Sequence, residues 1–228
     1  MSIVLGNITF DEDHTSASES YAEVGGRDAR KITLAGLILG EQSTGAIEAR
    51  LDALLRAASV EDYAAALSLR QGRRLWVRRE SFERAVRADE LVGSFTLVLE
   101  ARDPYEYSET PTTHSWNVTA SGNVCVLSSG GNVFATPAIT VTAGGALINP
   151  TLDDGTRSIV YSGAVAAGQT LVFDGASRTV TLDGTDVTPY TSGDFPRIDP
   201  EETTLRYTDA AASSHLASLV VSYLDRWW

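Results

Sequence analysis

The C-terminal half of the chain is a succession of short alternating segments that end in glycine-containing turns. From Trp116 onward the segments VTAS, NVCVLS, AITVTA, SIVYSG, TLVFDG, RTVTLDG, TTLRYT and LASLVVSYL follow one another. Pairs such as Asp154-Gly155, Asp174-Gly175 and Asp183-Gly184 accept positive φ at low cost, as hairpin turns require. This pattern predicts a β-sandwich in the second half.

The N-terminal half combines strand patterns with one helix. The β-branched, alternating run Arg30–Leu39 predicts a strand that ends at Gly40. Apolar residues recur at helical spacing over Ala46–Ala58, with Ser43 or Thr44 as the N-terminal cap. The apolar positions of this helix are Ile47, Leu51, Leu54, Leu55 and Ala58. We expect one face of the helix to lie on a sheet.

The segment after the helix predicts a short helical turn within Val60–Leu69, followed by a hairpin at Gln71-Gly72. The strand segments LWVRRESF, ERAVRADEL and SFTLVLEARDP then form a meander. The polar stretch DPYEYSETPTT contains two prolines and predicts a domain boundary. The chain is therefore expected to be mainly β, with domains at 1–110 and 111–228.

Composition excludes several classes of function. The formal net charge is −12, with 13 basic and 19 acidic side chains in residues 1–110 and 5 and 11 in residues 111–228. Neither half offers the basic surface that a nucleic-acid groove needs. Apolar runs are too short for a membrane span, and the N-terminus lacks the pattern of a signal peptide. We expect a soluble protein that is not exported by that route.

Sequence motifs of enzymes and metal sites are missing from the chain. It has no Gly-x-Ser-x-Gly elbow, Walker loop, Gly-x-Gly-x-x-Gly or His-Glu-x-x-His motif. His14, His114 and His215 lie far apart in sequence, and the acidic turns at 153–155 and 183–186 do not follow the calcium-loop pattern. The lone Cys125 is expected to act as a small buried hydrophobe. We predict a protein without catalytic residues, cofactor or metal, although a Ser/His/Asp arrangement assembled by folding stays open.

Turn and strand residues in the C-terminal half resemble those of the distal tail proteins of long-tailed, non-contractile (siphovirus-type) phages. The family has a Gly-Asn, small residue, Pro signature, a Gly-x-x-Leu-x-x-Asp strand, a strand ending in glycine, a Phe-Pro segment and an aromatic-rich last strand. The matching residues are Gly131, Asn132, Ala135, Pro137, Gly168, Leu171, Asp174, Gly184, Phe195 and Pro196, followed by LVVSYLDRWW. The strand, helix, Arg-rich hairpin and closing strand of the N-terminal half are similar to the family as well.

This resemblance implies an N-terminal tail-tube-like β-sandwich/ring domain followed by a galectin-like β-sandwich. It implies a virion protein of the tail tip, made in the host cytoplasm. Its copies would form a ring, a hexamer in the family, that links the tail-tube protein to a tail-hub or tail-associated protein and to a receptor-binding protein or fibre. DNA would cross the lumen of this ring without specific binding. An alternative from a different class is a carbohydrate-binding module in which Trp116, Tyr161 and Tyr190 stack on host glycans.

A cluster of arginines follows the predicted hairpin turn. Seven arginines lie within eighteen residues between Arg70 and Arg87. If Arg74, Trp76 and Arg78 share one strand face, that face carries cations around an aromatic ring. A solvated sheet face and a nucleic-acid contact are the alternatives, but with the resemblance we favour a subunit interface. The predicted interface residues are Arg73, Arg74, Trp76, Arg78 and Arg79.

Aromatic residues close the chain. Tyr223, Trp227 and Trp228 either fold back onto the sandwich or offer a docking surface, since Trp and Tyr are frequent at interfaces. We predict that these three residues dock a partner.

Overall fold

The computed structural model of the chain describes residues 3–24 and 27–228. It is mainly β, with a single α-helix in these ranges, so the predicted fold class is confirmed in these terms. The chain divides into two compact units, Met1–Glu109 and Thr110–Trp228. Each unit has its own hydrophobic core.

The N-terminal unit is an antiparallel sheet with one helix. Its strands are β1 (Val4–Leu5), β2 (Ile8–Thr9), β3 (Thr15–Val24), β4 (Arg27–Ile38), β5 (Ala65–Ser68), β6 (Arg73–Arg87), β7 (Val92–Ala101) and β8 (Glu106–Ser108), and α1 spans Thr44–Ala57. The strand order is β2-β1-β5-β6-β7-β4-β3, and β8 pairs with the start of β6. Strand β3 pairs continuously with β4, and β4 pairs with β7. Strand β7 pairs in turn with β6 along most of its length.

Helix α1 covers the apolar face of this sheet. Ser43 caps it, because its Oγ accepts a hydrogen bond from the Ala46 N–H at 3.2 Å. Ile47, Leu51 and Leu54 are buried, whereas Leu55 is half-buried. A side-chain carbon on Gly93 of β7 would come within 2.5 Å of Ile47, so glycine there lets the helix approach the sheet. The prediction of the helix and its packing is confirmed.

The segment between the helix and the hairpin differs from the prediction. Residues 58–64 contain no helical turn, and the Ser59 Oγ accepts the N–H of Glu61 at 3.0 Å in a local turn instead. The predicted hairpin is present as β5 and β6, with Gly72 at φ +75°. The two segments expected after it form one strand of 15 residues, in which the pairing with β7 shifts register between Arg79 and Ser81.

The C-terminal unit contains two facing antiparallel sheets. Its strands are β9 (Thr112–Val118), β10 (Val124–Leu127), β11 (Ala138–Ala143), β12 (Leu147–Ile148), β13 (Thr151–Asp153), β14 (Ser158–Tyr161), β15 (Ala164–Val165), β16 (Thr170–Asp174), β17 (Thr179–Leu182), β18 (Thr185–Asp186), β19 (Thr191–Gly193), β20 (Thr203–Thr208), β21 (Ala217–Tyr223) and β22 (Arg226–Trp227), with a 3-10 turn at Thr188–Tyr190. One sheet has the order β10-β20-β13-β14-β19 and the other β18-β17-β16-β11-β21-β9, and β12 and β15 pair separately as a two-stranded sheet. Their inner faces share one core.

The glycine turns of this unit connect its strands as the sequence predicts. Asp183 and Gly184 have φ of +49° and +81° and join Leu182 to Thr185, which are paired across β17 and β18. A two-residue loop with positive φ at both positions matches the right-handed twist of the strands. Within the described ranges, no helix is both long and apolar enough to cross a membrane.

Candidate interaction surfaces

Strand β6 presents a cation and an aromatic ring on one face. Leu75 and Val77 point into the core, so alternation places Arg74 and Trp76 on the opposite face. The guanidinium carbon of Arg74 lies 5.2 Å from the centroid of the Trp76 ring, and Trp76 is 40% exposed. We call Arg74 and Trp76 the Arg-Trp surface. A paired cation and exposed indole are typical of binding surfaces.

Arg78 is committed to a partner inside the chain. Its Nη2 donates to the Glu100 Oε2 at 2.9 Å, and the Tyr63 hydroxyl donates to the other carboxylate oxygen at 2.8 Å. Glu100 is 5% exposed. Burial raises the pKa of Glu100, but the hydrogen bonds from Arg78 and Tyr63 outweigh it, so the pKa lies below its ordinary value. Arg78 therefore neutralises a buried carboxylate in the N-terminal unit.

Arg79 and Arg73 also bind within the N-terminal unit. Arg79 donates from its side chain to the Leu55 carbonyl near the end of α1, and its backbone N–H donates to the Ser59 carbonyl at 2.6 Å. The Arg73 guanidinium lies 3.6 Å from the Glu106 carboxylate. Of the five residues predicted for an oligomer interface, Trp76 is the exposed one, and the half-buried Arg74 lies beside its ring.

An ion cluster around the buried Arg30 and Glu106 lies at the end of the same core. The Arg30 side chain, on a residue only 1% exposed, donates to Glu19, to Glu106 at 3.1 Å and to the Pro104 carbonyl at 3.2 Å. Arg70 bridges both carboxylates. The cluster ties β3 and the segment after β7 to the body of the N-terminal unit. The sequence analysis missed it, although Arg30 stands two residues before the core residue Ile32 on one strand.

The Gly131-Asn132 signature holds the C-terminal segment. Asn132 donates its N–H to the Arg226 carbonyl at 3.0 Å and accepts the Trp228 N–H on its side-chain oxygen at 2.7 Å. A side-chain carbon on Gly131 would overlap the Arg226 carbonyl oxygen, so only glycine fits. The neighbouring Gly130 N–H donates to Asp225 at 2.9 Å. The signature glycine is thus explained by close backbone packing.

The three terminal aromatics have different environments. Tyr223 is 3% exposed, and its hydroxyl donates to the Ser128 carbonyl at 2.8 Å, so its ring belongs to the core. Trp227 is half-buried on β22, and Trp228 is 51% exposed. Of the predicted docking set, Trp228 therefore offers the largest exposed surface.

The residues considered for sugar stacking do not form an aromatic face. Tyr161 lies in the core of the C-terminal unit, and Trp116 packs against that core. Tyr190 is exposed. Stacking on a sugar needs an accessible ring, so the buried Tyr161 does not supply one.

Histidines and acidic turns serve local structure. His14 pairs with Asp11 at 2.7 Å and His215 with Asp209 at 2.6 Å, whereas His114 stacks on Tyr223. The side chains of the acidic turns accept hydrogen bonds from backbone N–H groups, as Asp153 does from Gly155 in its own turn and Asp183 from Thr170 on β16. The described part of the chain has no group of three or more potential metal-binding side chains. Cys125 is half-buried against the core, where burial raises the pKa of its thiol.

Comparison with known proteins identifies the class of the C-terminal half. Residues 130–227 match the family model described as the siphovirus-type tail component, C-terminal domain. The resemblance inferred from the sequence is confirmed for these residues. The search of curated proteins found no match.

A solved structure shares the fold over the whole chain. It is the crystal structure of the SPP1 Dit (gp 19.1) protein, described as a paradigm of the hub adsorption apparatus in phages that infect Gram-positive bacteria. The match has a TM-score of 0.69 at 13% identity and covers 100% of this chain and 99% of that one. The protein therefore has the fold of SPP1 Dit.

Proposed function

We propose that the protein is a structural component of a siphovirus-type tail and forms a ring at the tail tip of the virion. The ring joins the tail-tube protein to a tail-hub or tail-associated protein and to a receptor-binding protein or fibre. The match of residues 130–227 to a tail-component family and the fold shared with a hub protein support this role. The role is structural, and the buried ion pairs stabilise the subunit.

The proposal of a ring is based on the open sheet edges of the N-terminal unit. The strands β6, β7, β4 and β3 form an antiparallel layer, and no described strand pairs with the outer side of β3 or with the outer side of residues 81–87 in β6. Residues 16–21 of β3 are all exposed. Long open edges are templates for pairing with another chain. Pairing β3 of one copy with residues 81–87 of the next repeats one heterologous contact until the ring closes.

In the proposed ring, the outer face of this layer lines the lumen. Its side chains alternate with the core residues and are mostly small and polar, as in Ser16, Ser18, Thr33 and Thr96. The charged residues on this face include Arg78 and Glu100, which form an ion pair. A face without an excess of cations lets DNA pass without specific binding.

The remaining surfaces are assigned to neighbours in the tail. The Arg-Trp surface of β6 is a contact between copies or with the adjoining tail protein, with Arg73, Arg78 and Arg79 holding the strand that presents it. Trp227 and Trp228, held by the Gly131-Asn132 signature, dock a partner. The proposal also includes a tail-tube-like, ring-forming unit over 1–110 and a galectin-like unit over 111–228. The ring that the copies form is a hexamer.

Paired substitutions on the two edges test the ring. Ser18 of β3 and Ala85 of β6 are both exposed and lie on the outer face. The double variant Ser18→Lys/Ala85→Lys places like charges on both sides of the proposed junction and should sediment as a folded monomer. The variant Ser18→Lys/Ala85→Glu should retain much more of the assembly, because opposite charges across strands attract. Sedimentation velocity measures both.

The control is Thr204→Lys, an exposed strand position in the C-terminal unit. It should assemble like the unmodified chain, and circular dichroism should show that all three variants are folded. If the double lysine variant assembles as fully as the Thr204→Lys control, the copies do not pair through β3 and β6.

A further inference from the structure

Arg197 is a half-buried arginine at one end of the C-terminal sandwich. Its guanidinium carbon lies 3.9 Å from the centroid of the Phe134 ring, a cation–π contact that restricts the position of the charged group. The backbone N–H of Arg197 donates to the Asp154 Oδ2 at 2.9 Å, so the main chain is held as well. Within the described ranges the guanidinium itself makes no hydrogen bond or ion pair. The result is a preorganised cation with open donors.

The neighbouring charges do not neutralise the Arg197 guanidinium. The Asp154 carboxylate is occupied by the backbone N–H groups of Thr156 and Arg157, at 2.8 and 2.6 Å, and by the Arg157 side chain at 3.3 Å. Burial and then the positive charge of Arg157 lower the pKa of Arg197, and the charges of Asp154 and Asp199 only partly offset them. An arginine in such surroundings is stabilised when an anion approaches it.

We propose that Arg197, stacked on Phe134 and flanked by Arg157, is the binding site for a carboxylate side chain of another protein chain. The planar guanidinium offers parallel N–H donors that match the two oxygens of a carboxylate. The nearby backbone N–H groups are taken up by Asp154, so they do not form the nest of amides that favours a tetrahedral phosphate. This inference does not depend on the ring, because the site is formed wholly within the C-terminal unit.

Fluorescence anisotropy with a labelled, end-blocked penta-glutamate peptide tests the site on the full-length chain. We expect saturable binding to the unmodified protein and none by the corresponding penta-glutamine peptide. Arg197→Gln keeps the backbone N–H and should weaken binding by about tenfold or more, as for loss of a charged hydrogen bond. Arg197→Lys should also weaken it, because lysine keeps the charge and loses the fork.

The matched control is Arg50→Gln, which changes an exposed arginine paired with Glu41 in the N-terminal unit. It should bind the peptide as the unmodified protein does, and thermal denaturation should show that each variant is folded. Equal binding by Arg197→Gln and Arg50→Gln would overturn the proposal. So would displacement of the peptide by inorganic phosphate as effectively as by free glutamate peptide, since the site would then take oxyanions in general.

Discussion

At the scale of single residues, the charged side chains of the N-terminal unit act mainly on their own chain. Glu100 is held between Arg78 and Tyr63, and Arg30 lies between Glu19 and Glu106. A buried carboxylate or guanidinium is tolerated only when hydrogen bonds replace its water. Removing one partner from such a pair therefore lowers the free energy of unfolding by more than the intact pair contributes to it.

The pH dependence of stability should report on Glu100. Its folded pKa lies below the ordinary value, so the ionised carboxylate stabilises the fold above the unfolded pKa of about 4.5, and this contribution is lost as pH falls through the folded pKa. Tyr63→Phe removes one hydrogen bond and should move the acid-unfolding midpoint to higher pH. Far-ultraviolet circular dichroism across an acid titration measures the midpoint.

The control for this variant is Tyr190→Phe, which removes the hydroxyl of an exposed tyrosine. Its midpoint should equal that of the unmodified chain. If Tyr63→Phe has the same midpoint as Tyr190→Phe, the hydrogen bond to Glu100 does not lower its pKa.

Register along a strand predicts where a side chain points but not what it meets. Arg30 and Ile32 share a face of β4, so alternation alone places a guanidinium at the edge of the core. Its partner Glu106 comes 76 positions later, in the polar, proline-containing segment that was predicted to be a domain boundary. Likewise alternation along β6 puts Arg74 and Trp76 on one face, whereas the pairing of Arg78 with Glu100 depends on β7 lying beside β6.

At the scale of elements, local signals predicted the helix and the tight turns well. The cap at Ser43 and the glycine of the β5-β6 turn are determined by residues within a few positions. The length of β6 was not predicted, because its second half is rich in charged residues and gains its strand structure from pairing with β7. The helical turn after α1 was wrong because a serine side chain can cap a local turn as readily as a helix.

The packing of α1 gives a stability prediction. Leu51 is fully buried between the helix and the sheet, so Leu51→Ala should lower the free energy of unfolding by about 2–5 kcal/mol through loss of contacts and a residual cavity. Leu55→Ala, on a half-buried position of the same helix, should cost clearly less. Urea denaturation measures both, and equal losses would contradict the assignment of the buried face.

At the scale of the whole molecule, the chain consists of two units with separate cores. The boundary between Glu109 and Thr110 falls in the segment that combines prolines with polar residues. Sequence composition indicated this region because an interrupted strand pattern and exposed polar residues are typical of linkers. Whether copies associate is a property of surfaces, which no local pattern in one chain determines.

Limited proteolysis tests the two-unit organisation. Glu109, Thr110 and Pro111 are exposed, so a protease of broad specificity should first cut close to them and leave fragments corresponding to 1–110 and 111–228. Mass spectrometry of the earliest fragments measures the position of the cut. First cuts within 120–220 would show that the C-terminal unit does not fold as one stable body.

The ring is tested most directly by hydrogen–deuterium exchange of the unmodified chain at several concentrations. The account predicts that amide protection rises with concentration in residues 16–21 of β3 and 81–87 of β6, because their outer N–H groups gain partners when copies pair. The edge strand β10 of the C-terminal unit serves as the internal reference and should keep the same exchange rate. Assembly without added protection in β3 and β6, or no assembly at any concentration, would contradict the proposed ring.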